Sequence, residues 1–158
     1  MYNKDFVKEN MVRLIKGIQV LNIPIIWMEQ YPKGLGSTIP EIKELFPDTQ
    51  ALEKSCFSSC NQEDFVTSIN NSGKQKILVM GVEAHVCVYQ TVMDLMAKGF
   101  QVEVVADAVS SRTEKNWEFA LRIMENAGAK LTTVEMALFE LLQESGTDEF
   151  KQISRLVK

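Results

Sequence analysis

The sequence predicts an α/β fold, a three-layer α/β/α, Rossmann-like domain with a mainly parallel sheet. Amphipathic helical patterns alternate with short apolar strands along the whole chain. Strands joined through helices make right-handed crossovers, which produce a parallel sheet covered on both faces. A chain of 158 residues with 46% hydrophobic content can bury one substantial core, so we assign residues 1–158 to a single domain.

The first half of the chain predicts one long helix, one strand and a loop-rich region. Apolar residues recur at three- and four-residue steps over residues 4–22, which indicates an amphipathic helix. The apolar run at 25–28 has the length of a strand. All four prolines lie at positions 24–47, so we expect an irregular surface loop around 34–38. A short helix is predicted over 62–69.

The second half alternates strand and helix more regularly. The near-continuous apolar run at 76–82 is typical of a fully buried parallel strand. Further strands are predicted at 102–107 and 130–134, and further helices at 88–98, 114–127, 135–142 and 150–157. Ser111-x-x-Glu114 and Thr132-x-x-Glu135 match capping boxes, which predicts Ser111 and Thr132 as helix N-caps.

Composition excludes several classes of protein. The 17 basic and 21 acidic residues give a net charge of −4, so we expect no binding to nucleic acid or to a membrane. No apolar stretch approaches the ~20 residues needed to span a bilayer. The polar N-terminal residues do not match a signal peptide, and three cysteines cannot all pair. We therefore expect a cytoplasmic protein.

Cys87 is the strongest candidate for chemistry. Ligands of parallel α/β folds bind at the carboxyl ends of strands, here after Met28, Val82 and Asp107. Cys87 follows the strand at 76–82 and begins a helix, where backbone N–H groups should lower the pKa of its thiol. Its N–H and one from Glu83 or Ala84 are candidate oxyanion donors. The alternative is a small buried hydrophobe, which suits a free cysteine equally well.

For the other polar residues that could carry chemistry, a structural role is better supported than a metal-binding, redox or catalytic one. Cys56 and Cys60 match a metal half-site or a redox pair, but no second Cys/His pair completes a zinc site. His85 is the only histidine, and we favour a structural or substrate-facing role over general base. Asp107 ends a strand and is expected to bond the Ser110–Ser111 turn.

Four ordered segments carry a resemblance to a known family. Residues 81–88 (GVEAHVCV) resemble the nucleophile segment of isochorismatase-like cysteine hydrolases. Residues 29–36 (EQYPKGLG), 53–58 (EKSCFS) and 105–112 (VADAVSSR) resemble the branch of isochorismatase domain-containing proteins. The family includes isochorismatases, nicotinamidases and other amidohydrolases, so the resemblance implies a hydrolase on an isochorismatase-like α/β fold.

The resemblance also implies roles for individual residues. It implies Cys87 as the nucleophile and Lys54 as the lysine of an Asp–Lys–Cys triad. A non-proline cis peptide at Val82–Glu83 or Glu83–Ala84 would aim the N–H groups of Ala84 and Cys87 at the oxyanion. Attack on a small amide or carbonyl substrate would then pass through a thioester. The candidate substrate-binding residues are Glu83, His85 and Tyr31.

Two departures from the family pattern shape these expectations. Family members begin with a strand ending in Asp-x-Gln, whereas this sequence starts at the following helix. We expect that strand, which would lie between the strands at Ile25 and Ile77, to be missing, and turnover to be weak or absent. Residues 31–34 lack the histidines with which nicotinamidases bind metal, so we expect no metal and no cofactor.

Three functional hypotheses follow. The first is a cysteine hydrolase of unknown substrate, and the second is an inactive family member that serves as an oligomeric binding or structural module. The third is a thiol redox sensor built on Cys56, Cys60 and Cys87. Because related proteins commonly assemble, we also expect a homo-oligomer, with Phe139 and residues 150–157 as contact surfaces.

Overall fold

The computed structural model describes residues 1–158, which form eight α-helices and five strands. The helices are Lys4–Val20 (α1), Pro32–Leu35 (α2), Pro40–Lys43 (α3), Glu63–Ser72 (α4), Tyr89–Ala97 (α5), Glu114–Asn126 (α6), Val134–Leu142 (α7) and Asp148–Leu156 (α8). The strands are Met28–Gln30 (β1), Leu52–Lys54 (β2), Lys76–Val82 (β3), Gln101–Ser110 (β4) and Lys130–Thr132 (β5). A 3-10 turn at Ser59–Asn61 and a π-helical turn at Ala84–Val88 complete the chain.

Every strand pair is parallel, and the strands form two sheets. One sheet contains β1 and β2, with Met28 opposite Leu52. The other has the order β3-β4-β5, so β4 is its central strand. This alternation of parallel strands with helices confirms the predicted three-layer α/β/α fold.

Helices cover both faces of the larger sheet, and each face has its own apolar cluster. The cluster beneath α1, α7 and α8 comprises Val7, Met11, Leu14, Ile18, Val105, Ala108, Val134, Leu138 and Ile153. The cluster beneath α4, α5 and α6 includes Phe65, Ile69, Val92, Leu95, Val104, Leu121 and Met124. Gly17 allows α1 to approach α7 closely, because a Cβ at this position would lie 2.4 Å from Leu138 Cδ2.

Strand β3 matches its predicted bounds but is not fully buried. Its residues are half-buried or exposed, and the side chain of Val82 is half exposed. The reason is topological, since β3 pairs with β4 on one side and with no strand on the other. The predicted strand at 25–28 is also displaced, because β1 begins only at Met28. No strand of the smaller sheet pairs with a strand of the larger one.

The predicted helix caps are each displaced along the chain. Thr113, rather than Ser111, caps α6, since its hydroxyl accepts the Asn116 N–H at 3.3 Å. Ser111 is fully buried and bonds elsewhere. Likewise Thr133, rather than Thr132, accepts the Met136 N–H and begins α7.

The remaining local predictions have mixed outcomes. The long first helix and the terminal helix are confirmed as α1 and α8. The irregular loop expected around 34–38 overlaps the short helix α2. Pro32 is the first residue of this helix, because its fixed φ suits the first helical turn. Side chains from the two surfaces expected to contact a second copy pack within the chain instead. Phe139 packs edge-on against Phe150, and Ile153 is fully buried. None of the helices combines the length and the apolar character that crossing a bilayer requires.

Candidate active site

Three polar side chains meet where strand ends of the two sheets come together. Gln30 ends β1 and Lys54 ends β2, and the two residues are register partners. Cys87 lies in the π-helical turn that follows β3. Because parallel strands bring their carboxyl ends to one edge, residues far apart in sequence converge here.

One oxygen atom joins these side chains. Lys54 Nζ donates to Gln30 Oε1, and it also donates to the carbonyl oxygens of Cys56 at 2.9 Å and Phe57 at 2.7 Å. Cys87 Sγ donates to the same Gln30 Oε1 at 3.7 Å. The amine and the thiol, which the resemblance paired by motif, therefore contact a common acceptor.

Gln30 was missed as a site residue by the sequence analysis. Its Nε2 donates to the Ser55 carbonyl at 2.9 Å, and this bond turns Oε1 toward Lys54 and Cys87. A signal was present, since Gln30 is a polar residue at the carboxyl end of the first predicted strand region. An amide side chain at such a position is common enough that only the three-dimensional contacts distinguish it.

Burial changes the expected protonation of the site. Lys54 is buried, and this burial lowers the pKa of its ammonium, while Cys87 and Cys56 act to raise it. Burial raises the pKa of the Cys87 thiol, the Lys54 ammonium lowers it, and Glu83 raises it again. The net direction for Cys87 is upward, so the expectation of a lowered pKa is wrong. Removal of the thiolate from water outweighs the favourable field of its surroundings.

The turn that carries Cys87 differs from the expected geometry at one point. The chain contains no cis peptide bond, so the cis bond implied at Val82–Glu83 or Glu83–Ala84 is not found. Glu83 instead has left-handed backbone angles (φ 59°, ψ 52°), and its carbonyl accepts the Val86 N–H at 2.8 Å. The turn therefore redirects the chain after β3 through a residue with positive φ. Ala84 is fully buried directly behind it.

His85 points toward β4 and α6 rather than toward Cys87. Its Nδ1 lies 3.0 Å from Ser111 Oγ, and Asn116 Nδ2 donates to its Nε2 at 3.3 Å. Both ring nitrogens are engaged by other elements, which leaves neither free to take a proton from Cys87.

Tyr31 follows Gln30 directly and stands at the rim of this region. Its side chain is 55% exposed, and its N–H donates to the Lys54 carbonyl at 2.8 Å. The ring covers Gly34, where a Cβ would lie 2.1 Å from a ring carbon. Exposure leaves this aromatic side chain accessible to a small molecule.

Asp107 has a structural role, as predicted, but with a different partner. Its Oδ1 accepts the Val134 N–H at 2.9 Å in the first turn of α7, rather than bonding the turn at Ser110–Ser111. Burial raises the pKa of this carboxyl group, and the Val134 bond opposes the rise.

The other two cysteines are free thiols. Cys60 is buried, which raises the pKa of its thiol, and its N–H donates to Ser58 Oγ at 3.2 Å. Cys56 is half-buried, and its carbonyl binds Lys54. The chain brings together no group of three or more His, Cys, Asp or Glu side chains in a metal-binding arrangement.

Comparison with known proteins identifies the family. The family model described as the isochorismatase domain matches residues 1–136. The chain belongs to the isochorismatase family.

A secreted isochorismatase effector of Phytophthora sojae is 40% identical over 149 residues, covering 92% of this chain and 71% of that protein. Isochorismatase domain-containing protein 1 of Danio rerio is 38% identical over 151 residues. That alignment covers 92% of this chain and 51% of the zebrafish protein, so this isochorismatase-family chain spans about half of its length.

Solved structures share the same fold. A structure described as the MAR1 ribonuclease of Caenorhabditis elegans has a TM-score of 0.88 and 41% identity, covering 99% of this chain and 80% of that one. The YcaC gene product of Escherichia coli, described as an octameric hydrolase of unknown specificity, has a TM-score of 0.89 and 28% identity. That match covers 96% of this chain and 76% of the YcaC chain. Membership of the isochorismatase family supports a hydrolase-type function.

Proposed function

We propose that the chain is a cysteine hydrolase in which Cys87 attacks a small amide or related carbonyl substrate. The observation that supports this most directly is the shared contact of Cys87 Sγ and Lys54 Nζ with Gln30 Oε1. A cation beside a thiol stabilises the thiolate that forms during attack. Tyr31, His85 and Glu83 are proposed to surround the substrate. The reaction needs no cofactor or metal.

The proposed reaction proceeds through an acyl-enzyme. The sulfur of Cys87 forms a bond with the carbonyl carbon, and the carbonyl electron pair moves onto oxygen, where the N–H groups of Ala84 and Cys87 are proposed to bind it. The C–N bond then breaks, and the amine leaves with the proton that Cys87 gave up. Lys54 is proposed to carry this proton. As the neutral amine, which burial favours by lowering the pKa of its ammonium, it accepts the thiol proton as the C–S bond forms. As the resulting ammonium, it gives that proton to the leaving nitrogen. Water hydrolyses the thioester and restores the thiol.

We expect this activity to be weak. Cys87 Sγ contacts an amide oxygen and no carboxylate or imidazole, and burial raises the pKa of its thiol. A raised pKa leaves a smaller share of the Cys87 thiol as thiolate than an ordinary cysteine has at the same pH. Nucleophilic attack depends on that fraction.

The test is detection of the acyl-enzyme. The purified chain is incubated with a panel of small primary amides and activated esters, and intact-protein mass spectrometry follows acyl addition. We expect acylation in the wild type and in Cys60→Ser, which keeps the site intact, and none in Cys87→Ala. Acylation that persists in Cys87→Ala, or a panel that leaves the wild type unmodified, would contradict the proposal.

A catalytically inactive oligomeric or binding module is the second candidate, and the raised pKa of Cys87 is the observation that favours it. Absence of acylation together with a stable assembly in solution would support this alternative. We propose that the chain forms a homo-oligomer in either case, supported by the octameric description of YcaC. We also propose a cytoplasmic location. The Phytophthora relative, which is described as secreted, argues against it.

A further inference from the structure

Helix α6 carries a second apolar strip in addition to the face that it buries. Its inner face packs into the core through three buried side chains, Ala120, Leu121 and Met124. On the solvent side, Phe119 is 53% exposed and Ile123 is 44% exposed. Residues four apart on a helix are neighbours, so these two side chains form one strip. A surface helix ordinarily carries polar residues on this side, which makes the outer face of α6 a candidate contact surface.

Charged residues border this strip on one side only. Successive residues of an α-helix turn by about 100°, which places Lys115, Glu118, Arg122 and Glu125 on the same side of the strip. They are the only charged residues over positions 115–125, and their signs alternate along the helix, beginning with the lysine. The border of the strip is therefore a short row of alternating charge.

None of the four side chains in this row forms an ion pair within the chain. Glu118 and Arg122 have the spacing and the order that favour a pair along one helix. The Arg122 guanidinium instead lies over the Phe119 ring, with Cζ 4.4 Å from the ring centroid. The charges of the row are thus available to a second molecule.

The row is complementary to itself when its direction is reversed. Two α6 helices that pair antiparallel about Ala120 bring position 115 of each opposite position 125 of the other, and position 118 opposite position 122. Lysine then faces glutamate in the first contact, and glutamate faces arginine in the second. A two-fold axis repeats both contacts and keeps the two charged borders side by side. A parallel pair would set the charged border against the uncharged side of the strip and leave the row unpaired.

The apolar strip fits the same register. The rise along a helix is about 1.5 Å per residue, so the two Phe119 side chains lie about 3 Å apart along the common axis. Each Phe119 then falls between Phe119 and Ile123 of the other copy. Burial of these side chains favours association without fixing its direction, whereas the charge row fixes direction and register.

We infer that the outer face of α6 binds a second copy of this chain, in an antiparallel arrangement with two-fold symmetry. The inference rests on the homo-oligomer proposed above, for which it names a contact, and it is independent of the chemistry of Cys87. Both copies use the same residues, as an isologous interface requires. An apolar centre with a charged border is also the usual composition of a protein interface.

Reversal of single charges tests the row directly. Glu118→Arg and Arg122→Glu are made as separate variants, and sedimentation equilibrium measures the concentration at which half of the chains are associated. In each variant like charges meet at both copies of the 118–122 contact, so we expect this concentration to rise at least about tenfold. Glu9→Arg and Lys16→Glu, which make matching changes of charge at exposed positions of α1, should leave it unchanged within about twofold.

A mixture of the two variants provides a test that a general loss of stability cannot imitate. Glu118→Arg and Arg122→Glu together restore opposite charges at both 118–122 contacts, although neither variant does so alone. We therefore expect an equimolar mixture to associate as the wild type does, and a fluorescent label on one variant shows that both are present in each dimer. Single variants that associate like the wild type, or a mixture that associates no better than its components, would overturn the inference.

The outcomes for the interface, the assembly and the enzyme are distinguishable. A wild type that stays monomeric would contradict both this interface and the proposed homo-oligomer. An assembly that survives both charge reversals would contradict the interface alone, since another face must then hold the copies together. Acylation of Cys87 is measured separately, so failure of the proposed hydrolysis leaves each of these results unchanged.

Discussion

Lys54 is a buried cation whose hydrogen-bond partners are all neutral. Nζ contacts one amide oxygen and two carbonyl oxygens, and no carboxylate pairs with it. By contrast, Lys76 pairs with Glu103 and Glu140. Burial of a charge without an opposite charge costs free energy, so stability alone does not explain Lys54. The groups that act to raise its pKa are Cys87 and Cys56, which makes a Cys87 thiolate a natural counter-ion.

This coupling predicts the pH dependence of Cys87 alkylation. In the wild type, the midpoint of the iodoacetamide profile should lie above that of an ordinary thiol, because burial raises the pKa of Cys87. In Lys54→Met the midpoint should rise further, since the cation that lowers this pKa is removed. Lys76→Met, which removes a lysine paired at a distant sheet edge, serves as the control. A midpoint in Lys54→Met equal to or below that of the wild type would contradict the coupling.

At the scale of residues, sequence motifs predicted which residues belong to the site better than they predicted the surroundings of those residues. The position of Cys87 after β3 predicts it as a site residue even without the resemblance, whereas Lys54 follows from the resemblance alone, and the fold brings both to one oxygen atom. Gln30 lies in the resembling segment 29–36, but nothing in that segment distinguishes its amide from other polar side chains, so the contacts are what reveal it. The direction of the Cys87 pKa was mispredicted because a helix start is visible in sequence, whereas burial depends on residues from the whole fold.

At the scale of elements, β3 differs most from its expected environment. Its apolar sequence is typical of a central parallel strand, but one edge lacks a neighbouring strand. Periodicity predicted where β3 lies, yet the neighbours of a strand depend on distant segments. The caps of α6 and α7 show the same limit on a smaller scale. Adjacent hydroxyl residues, such as Thr132 and Thr133, are both chemically suitable, and backbone geometry decides between them.

The open edge of β3 predicts an alternating pattern of amide exchange. Successive N–H groups of a parallel strand point to opposite sides, so alternate amides of β3 face β4 and the others face the unpaired edge. By residue-resolved hydrogen exchange, the second set should exchange at least about tenfold faster, as expected for amides without a strand partner. Glu103 and Val104 of β4, which pair with β3 on one side and with β5 on the other, provide the internal control. Uniform protection along β3 would mean that this edge is covered in solution.

At the scale of the whole molecule, the fold separates its stabilising and reactive parts. Two apolar clusters fix helices on both faces of β3-β4-β5, and β4 contributes to both clusters through Val104 and Val105. The polar contacts of Gln30, Lys54 and Cys87 lie where the smaller sheet meets the larger one. The relative position of the two sheets therefore controls the site, because β1 and β2 supply two of its three polar side chains.

Net charge provides a whole-molecule test of what the chain binds. A solved relative is described as a ribonuclease, but this chain carries a net charge of −4. Proteins that bind RNA without sequence preference neutralise phosphates with Lys and Arg, which makes binding fall with added salt. We therefore expect no change in fluorescence anisotropy when the chain is added to a labelled single-stranded RNA, even at low ionic strength. Binding that weakens steeply with salt would show that a local basic surface overrides the overall charge, and RNA cleavage abolished by Cys87→Ala would replace the amide substrate with a nucleic acid.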